Sequence, residues 1–161
     1  MARRNILTGD EPRLRKKCRE VTAFDARLHQ LLDDMRETLL ESGGVGLAAP
    51  QVGILRRAVL VIETNVEEGE EEYIIELINP QIVSASGEQR GSEGCLSVPG
   101  RQGHVTRAAK IRVRAQDRNG QPFEEEADGL YARCIQHEID HLDGVLYVDK
   151  MTEEVFDDGE Q

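Results

Sequence analysis

The stretch that most restricts what this chain can become is Gln136-His137-Glu138-Ile139-Asp140-His141, near its end. On a helix, residues four apart share one face a turn apart, so His137 and His141 can offer ring nitrogens to a single cation. Glu138 sits about 100° further round, close enough to handle a proton on a bound water. By itself His-Glu-X-X-His also fits two histidines falling by chance on a solvated helix, so its context decides. Leu130, Tyr131, Ile135, Ile139 and Leu142 recur at helical spacing between Asp128, a plausible N-cap, and Gly144, a stop. The histidines are expected on the flank of that apolar face.

A helix placed after a run of strands predicts an α+β domain, with antiparallel or mixed β-sheets packed around the C-terminal helix. Upstream, Leu28, Leu31, Leu32, Met35, Leu39 and Leu40 mark an N-terminal amphipathic helix from Asp25 to Ser42, ended by Gly43-Gly44. His29 falls on its polar side and is expected on the surface. A short helix is expected over 10–17 with Asp10 as its cap. Strands are expected over 57–63, 72–79, 81–86 and 110–116, with Asn79-Pro80 as a turn. Asp117-Arg118-Asn119-Gly120 predicts a hairpin whose return strand, 122–127, sets Glu124, Glu125 and Glu126 opposite Arg112 and Arg114.

Two histidines need a third ligand. Cys134 shares their side of the helix, but Cys134 and His141 lie roughly 10.5 Å apart along the axis, too far for one ion. His104 has no feature that prefers it. Cys95 is the best candidate, in a Gly94-Cys95-Leu96-Ser97-Val98-Pro99-Gly100 segment that reads as a shaped turn. A thiolate with two imidazoles suits zinc or ferrous iron.

Three segments now coincide. Gly44-Val45-Gly46-Leu47-Ala48-Ala49-Pro50-Gln51, Glu93-Gly94-Cys95-Leu96-Ser97 and Gln136 to His141 resemble, in order and spacing, the three motifs of the peptide deformylase family. The resemblance implies hydrolysis of the formyl group from the formyl-methionine of new polypeptides. It implies Cys95, His137 and His141 as ligands of one divalent metal, most often Fe2+, which Zn2+, Ni2+ or Co2+ can replace. Glu138 becomes the general base and acid, and Gln51 with the Leu96 backbone N–H binds the formyl oxygen. Gly46, Glu93, Gly94, Arg133 and Cys134 border the peptide and its methionine side chain. Two departures stand out: Arg133, where some relatives have an aliphatic residue, and Arg101, displaced by one position from an arginine that often binds peptide backbone.

At 161 residues the chain fits one domain, read as 1–150 with a short acidic tail over 151–161. The start lacks the apolar core of a secretory signal, and no apolar run approaches the roughly 18 residues of a membrane span. Three cysteines, Cys18, Cys95 and Cys134, argue against a disulfide framework, and the cytoplasm is the expected compartment. A net charge of −11 argues against a chain that wraps nucleic acid, and no specific DNA partner is expected. Formyl-methionyl nascent peptides are the expected partners, with at most a transient ribosome contact, since the acidic tail lacks the basic helix some relatives dock with. A His-Glu-X-X-His peptidase and a non-catalytic metal-binding module are the competing readings.

Overall fold

A computed structural model describes residues 3–64 and 66–155. Two helices, α1 (Ala26–Ser42) and α2 (Gly129–Leu142), lie on opposite faces of a five-stranded antiparallel sheet. Its strands are β1 (Gly46–Ala48), β2 (Ala58–Glu63), β3 (Tyr73–Ser86), β6 (Lys110–Gln116) and β7 (Pro122–Asp128), adjacent in that order. A second sheet joins β4 (Gln89–Cys95), β5 (Val98–Arg107) and β8 (Glu153–Val155). This is the expected α+β class.

Strand periodicity explains the layering. Successive side chains of β2 point to opposite faces. Val59 and Val61 pack with Leu77, Val113, Ile135, Ile139 and Leu142 beneath α2. Ala58 and Leu60 pack with Leu28, Leu32, Met35, Leu39 and Ile78 beneath α1. Residues 58–61 are therefore buried on both sides, which is why this segment reads as an unbroken apolar run.

Helix α1 has the expected ends. Asp25 accepts a hydrogen bond from the Leu28 N–H at 3.1 Å, and Gly43 adopts the left-handed conformation at φ 75°. Its faces are less simple than the periodicity predicts. Leu40 is 60% exposed, since it lies one residue, about 100°, from Leu39 at the centre of the stripe. Asp34 and Thr38 are buried because the N-terminal segment crosses them: the Arg4 side chain pairs with Asp34 at 3.0 Å, and the Arg4 N–H donates to Thr38 Oγ1 at 2.8 Å. His29 is half-buried rather than free, its Nε2 lying 2.7 Å from the Arg118 carbonyl.

Three other expectations change. The helix predicted over 10–17 is one 3-10 turn, Pro12–Arg15, capped by Glu11 instead of Asp10. Asn79-Pro80 does not end a strand; β3 runs through it with a register shift between Ile78 and Gln81. Asn79 takes a positive φ of 52°, which asparagine tolerates, and its amide bonds both backbone groups of Val21 and Gln116 Oε1. Of the expected tail, Glu153–Val155 forms β8, while residues 156–161 lie outside the described residues. The predicted hairpin is present, with Arg112 opposite Glu126 and Arg114 opposite Glu124.

The Asp25 cap has a measurable weight. Asp25→Ala is expected to cost about 1 kcal/mol and lower the melting temperature by about 2–4 °C, followed by thermal unfolding at constant pH.

Candidate metal centre

Helix α2 turns its catalytic-looking residues inward, and more completely than its sequence predicts. His137, Glu138 and His141 are all buried, while Leu130, assigned by periodicity to the apolar face, is 53% exposed at the rim of a cleft. The two imidazoles stand one turn apart with centroids 5.1 Å from each other. Cys95 reaches them from the second sheet. It is the last residue of β4 rather than part of a free turn, and a register shift between Glu93 and Cys95 re-aims the end of the strand.

The Cys95 sulfur lies 3.3 Å from His141 Nε2, and donor atoms of Cys95, His137 and His141 fall within 4.8 Å of one another. Metal bonds of about 2.0–2.3 Å in a tetrahedral arrangement separate ligand atoms by about 3.3–3.8 Å, so the set fits one divalent cation. Its chemistry fits too, with one soft thiolate and two borderline imidazoles. Cys134 and His104 are outside the set. Cys134 is buried in the cleft wall, where burial pushes its thiol up to about 12, and His104 lies half-buried on β5 opposite Ser92 and Glu153.

Glu93 fixes His137. Its Oε1 lies 2.9 Å from His137 Nδ1, which makes Nδ1 the protonated nitrogen and leaves Nε2 free to ligate. Arg107 grips the same carboxylate through Nε at 2.8 Å and Nη2 at 2.9 Å, and Arg133 Nη1 adds a contact at 2.6 Å. Burial alone would raise the Glu93 carboxyl, but Arg107 and His137 outweigh it and hold it at about 2. Asp140, 2.7 Å from Arg107 Nη1, closes the network back onto α2. Glu93 and Arg133 do line the cleft, yet they pair with each other, and Arg133 Nη1 also donates to the backbone oxygens of Gly91 and Val105. Arg107 was not legible as a site residue, since it stands alone near the end of a strand.

Glu138 has no such hydrogen-bond partners among the described residues. Its Oε1 is buried without a hydrogen bond, and burial pushes its carboxyl up to about 7. Strand β1 passes so close that a Cβ placed on Gly46 would meet Glu138 Oε2 at 2.6 Å. Only glycine lets this strand and this carboxylate share the space.

Gln51 sits in the 3-10 turn Ala49–Val52 and is buried. Its Oε1 accepts from the Ala48 N–H at 2.9 Å, which sends Nε2 the other way, 3.1 Å from Ser97 Oγ and 3.6 Å from Cys95 Sγ. The amide donor is thus aimed at the donor cluster, and Ser97, a residue sequence reasoning passed over, helps hold it. Gly44, Gly94, Leu96 and Cys134 complete a cleft of about 440 Å³. Arg101 lies at its edge but is held by Glu154 through two contacts of 3.0 and 2.9 Å.

Removing the Glu93 carboxylate leaves Arg107 and Arg133 buried without their counter-charge. Glu93→Ala is expected to cost about 3–5 kcal/mol and to weaken metal retention about 10- to 100-fold, measured by denaturant unfolding and chelator competition.

Comparison with known proteins accords with this geometry. The family model described as Polypeptide deformylase matches residues 3–156. A peptide deformylase of Caldicellulosiruptor bescii is 53% identical over 151 residues, covering 94% of this chain and 87% of the relative. Peptide deformylase 1 of Bacillus subtilis is 51% identical over 152 residues, covering 94% and 92%. The crystal structure of a peptide deformylase from Legionella pneumophila superposes with a TM-score of 0.86 at 46% identity, covering 94% of this chain and 87% of that one. With its fold, its three-donor cluster and these relatives in agreement, the chain belongs to the polypeptide deformylase family.

Proposed function

We propose that this protein hydrolyses the N-terminal formyl group from the formyl-methionine of newly made polypeptides, in the cytoplasm, releasing formate. The observation that carries the reading is one cleft that holds the Cys95 and His137 donors together with a Glu138 carboxylate oxygen buried without a hydrogen bond among the described residues and a Gln51 amide aimed at the Cys95 sulfur. Family membership agrees with it. A peptidase and a non-catalytic module are not favoured.

In this reading Cys95 Sγ, His137 Nε2 and His141 Nε2 hold one divalent cation, Fe2+, with Zn2+, Ni2+ or Co2+ as substitutes. Bound there, such an ion supplies a water of lowered pKa and polarises the formyl oxygen. Glu138 takes the proton of the attacking water and passes it to the leaving amine. Its raised pKa in a buried setting suits a group that must both accept and return a proton, and a neighbouring dication would draw it down toward the carboxylate form. Gln51 Nε2 and the Leu96 backbone N–H donate to the oxygen as it gains charge, from positions fixed before substrate arrives.

Gly46 and Gly94 leave room for the peptide backbone, and Cys134 with Leu130 gives the methionine side chain an apolar wall. Arg133 borders that wall, but its charge is spent on Glu93, so an arginine here is compatible with an apolar side chain in the pocket. Glu93 acts through His137 and not on substrate. Arg101 carries no substrate role while Glu154 holds it. Residues 1–150 act as one catalytic domain, and the start of the 151–161 segment straps β5 through β8.

Two substitutions test this. Glu138→Ala is expected to keep its metal and lose about 10²- to 10⁴-fold in turnover on a formyl-methionyl peptide, followed by formate release. Activity within a few-fold of the parent would refute the role given to Glu138. Gly46→Ala is expected to fold and bind metal normally while kcat falls about tenfold or more, because the new methyl displaces the Glu138 carboxylate. An unchanged kcat would mean that the position of that carboxylate is not limiting.

A further inference from the structure

One large side chain packs against the metal donors without being one of them. Tyr147 opens the 3-10 turn Tyr147–Asp149, just beyond α2, and at 1% exposure is the bulkiest of the fully buried side chains among the described residues. Its ring lies alongside the His137 imidazole, with centroids 6.0 Å apart and planes 22° from parallel, the geometry of an offset aromatic stack. Tyr147 is not among the residues that line the cleft, so it does not meet a peptide bound there.

The turn that carries this ring is tied down from outside the donor cluster. Asp149 Oδ2 accepts from the Leu146 N–H at 3.0 Å and pairs with Arg15. The Tyr147 carbonyl accepts from the Lys150 and Met151 N–H groups at 2.9 Å each, and Lys150 pairs with Asp140 on α2 at 3.1 Å. The hydroxyl adds nothing to that hold: its oxygen is buried and forms no hydrogen bond among the described residues. A buried tyrosine hydroxyl usually finds a partner, and one without a partner is a cost, so what the position uses is the ring.

Glu93 accounts for only half of how His137 is aimed. Its 2.9 Å contact fixes Nδ1 and leaves the imidazole plane free to tip about that bond. The His141 ring, 5.1 Å away and inclined by 63°, offers an edge and no flat wall, and its own Nδ1 forms no hydrogen bond among the described residues. A planar neighbour anchored elsewhere supplies the missing restraint. With Nδ1 and the plane both set, the direction of Nε2 follows.

We infer that Tyr147 is a positioning residue of the metal centre: its ring face sets the plane of the His137 imidazole, and so the direction from which Nε2 meets the cation. The inference rests on the proposed function for the ligand role of His137. It assigns Tyr147 an effect on the metal geometry and none on peptide binding.

The test loads the full-length protein with Co2+, whose visible ligand-field spectrum reports the arrangement of its ligands, and follows chelator competition and formate release alongside. Tyr147→Leu and Tyr147→Met keep apolar bulk without a flat face. Both are expected to shift the Co2+ spectrum and to weaken metal retention about two- to tenfold, the equilibrium equivalent of one aromatic pair. Both should also lower kcat on a formyl-methionyl peptide while KM stays unchanged. Tyr147→Phe keeps the face and removes only the unpartnered hydroxyl, so it should match the parent in spectrum, retention and turnover and melt no lower. Ile78→Val, in the core beneath α1, should lower the melting temperature yet keep the parent's spectrum. A parent-like spectrum and metal retention in Tyr147→Leu or Tyr147→Met would overturn the proposal. So would an equal loss in Tyr147→Phe, which would assign the effect to the hydroxyl, or the same spectral shift in Ile78→Val, which would assign it to global stability. Parent protein that binds Co2+ but releases no formate would sink the proposed function instead, while the spectra still decide the role of Tyr147.

Discussion

A single buried carboxylate, that of Glu93, joins the two sheets' worth of chain to the helix on which the chemistry depends. It accepts from Arg107 on β5 and from Arg133 and His137 on α2, while Asp140 returns a second contact from α2 to Arg107. Taking such charges out of water is costly, and it is tolerable only where every charge has a partner and every lone pair a donor. Here two arginines face two carboxylates, and both Glu93 oxygens are used twice. The return on that cost is positional: β4, which ends in Cys95, cannot drift from the helix that carries His137 and His141.

The hydrophobic architecture does the complementary work. With residues 58–61 buried on both faces, β2 holds α1 and α2 at fixed distances on either side of the five-stranded sheet. Its neighbour β1 then runs past α2 at a separation set by Gly46 and Glu138. The Cys95, His137 and His141 donor atoms, the Glu138 carboxylate and the Gln51 amide therefore come from three separate parts of the chain, each anchored by something other than the site itself. Such second-layer support lets a buried carboxylate like Glu138 stay without a hydrogen-bonding partner in a close-packed interior.

Charge follows the same division of labour. Cations near the cleft are consumed in ion pairs, Arg107 and Arg133 by Glu93 and Arg101 by Glu154. At the far end of α2, Arg57 is paired with Asp143, while Arg19 and Arg56 beside it are exposed. The cleft thus presents mostly apolar surface, and both arginines that line it, Arg101 and Arg133, are already paired with carboxylates.

The sequence by itself determined the class of chemistry and most of the frame. Local periodicity fixed α1, α2, β2 and the 117–120 hairpin because each has a strong pattern within one element. Helical spacing alone put His137, Glu138 and His141 together, the shaped segment around Cys95 singled it out as the third ligand, and a family pattern joined Gln51 to them. Tertiary structure decided what no local pattern encodes. Asn79-Pro80 carries turn residues yet continues β3, since Val21 and Gln116 supply the hydrogen bonds that hold its unusual backbone. Leu130 and Leu40 look like core and are exposed, while Asp34 looks like surface and is covered by Arg4. Arg107 has no motif, and nothing local to Glu93 signals the four hydrogen bonds it accepts from Arg107, Arg133 and His137. Buried polar networks pair residues far apart in the chain, and only the folded geometry brings such partners within hydrogen-bonding distance.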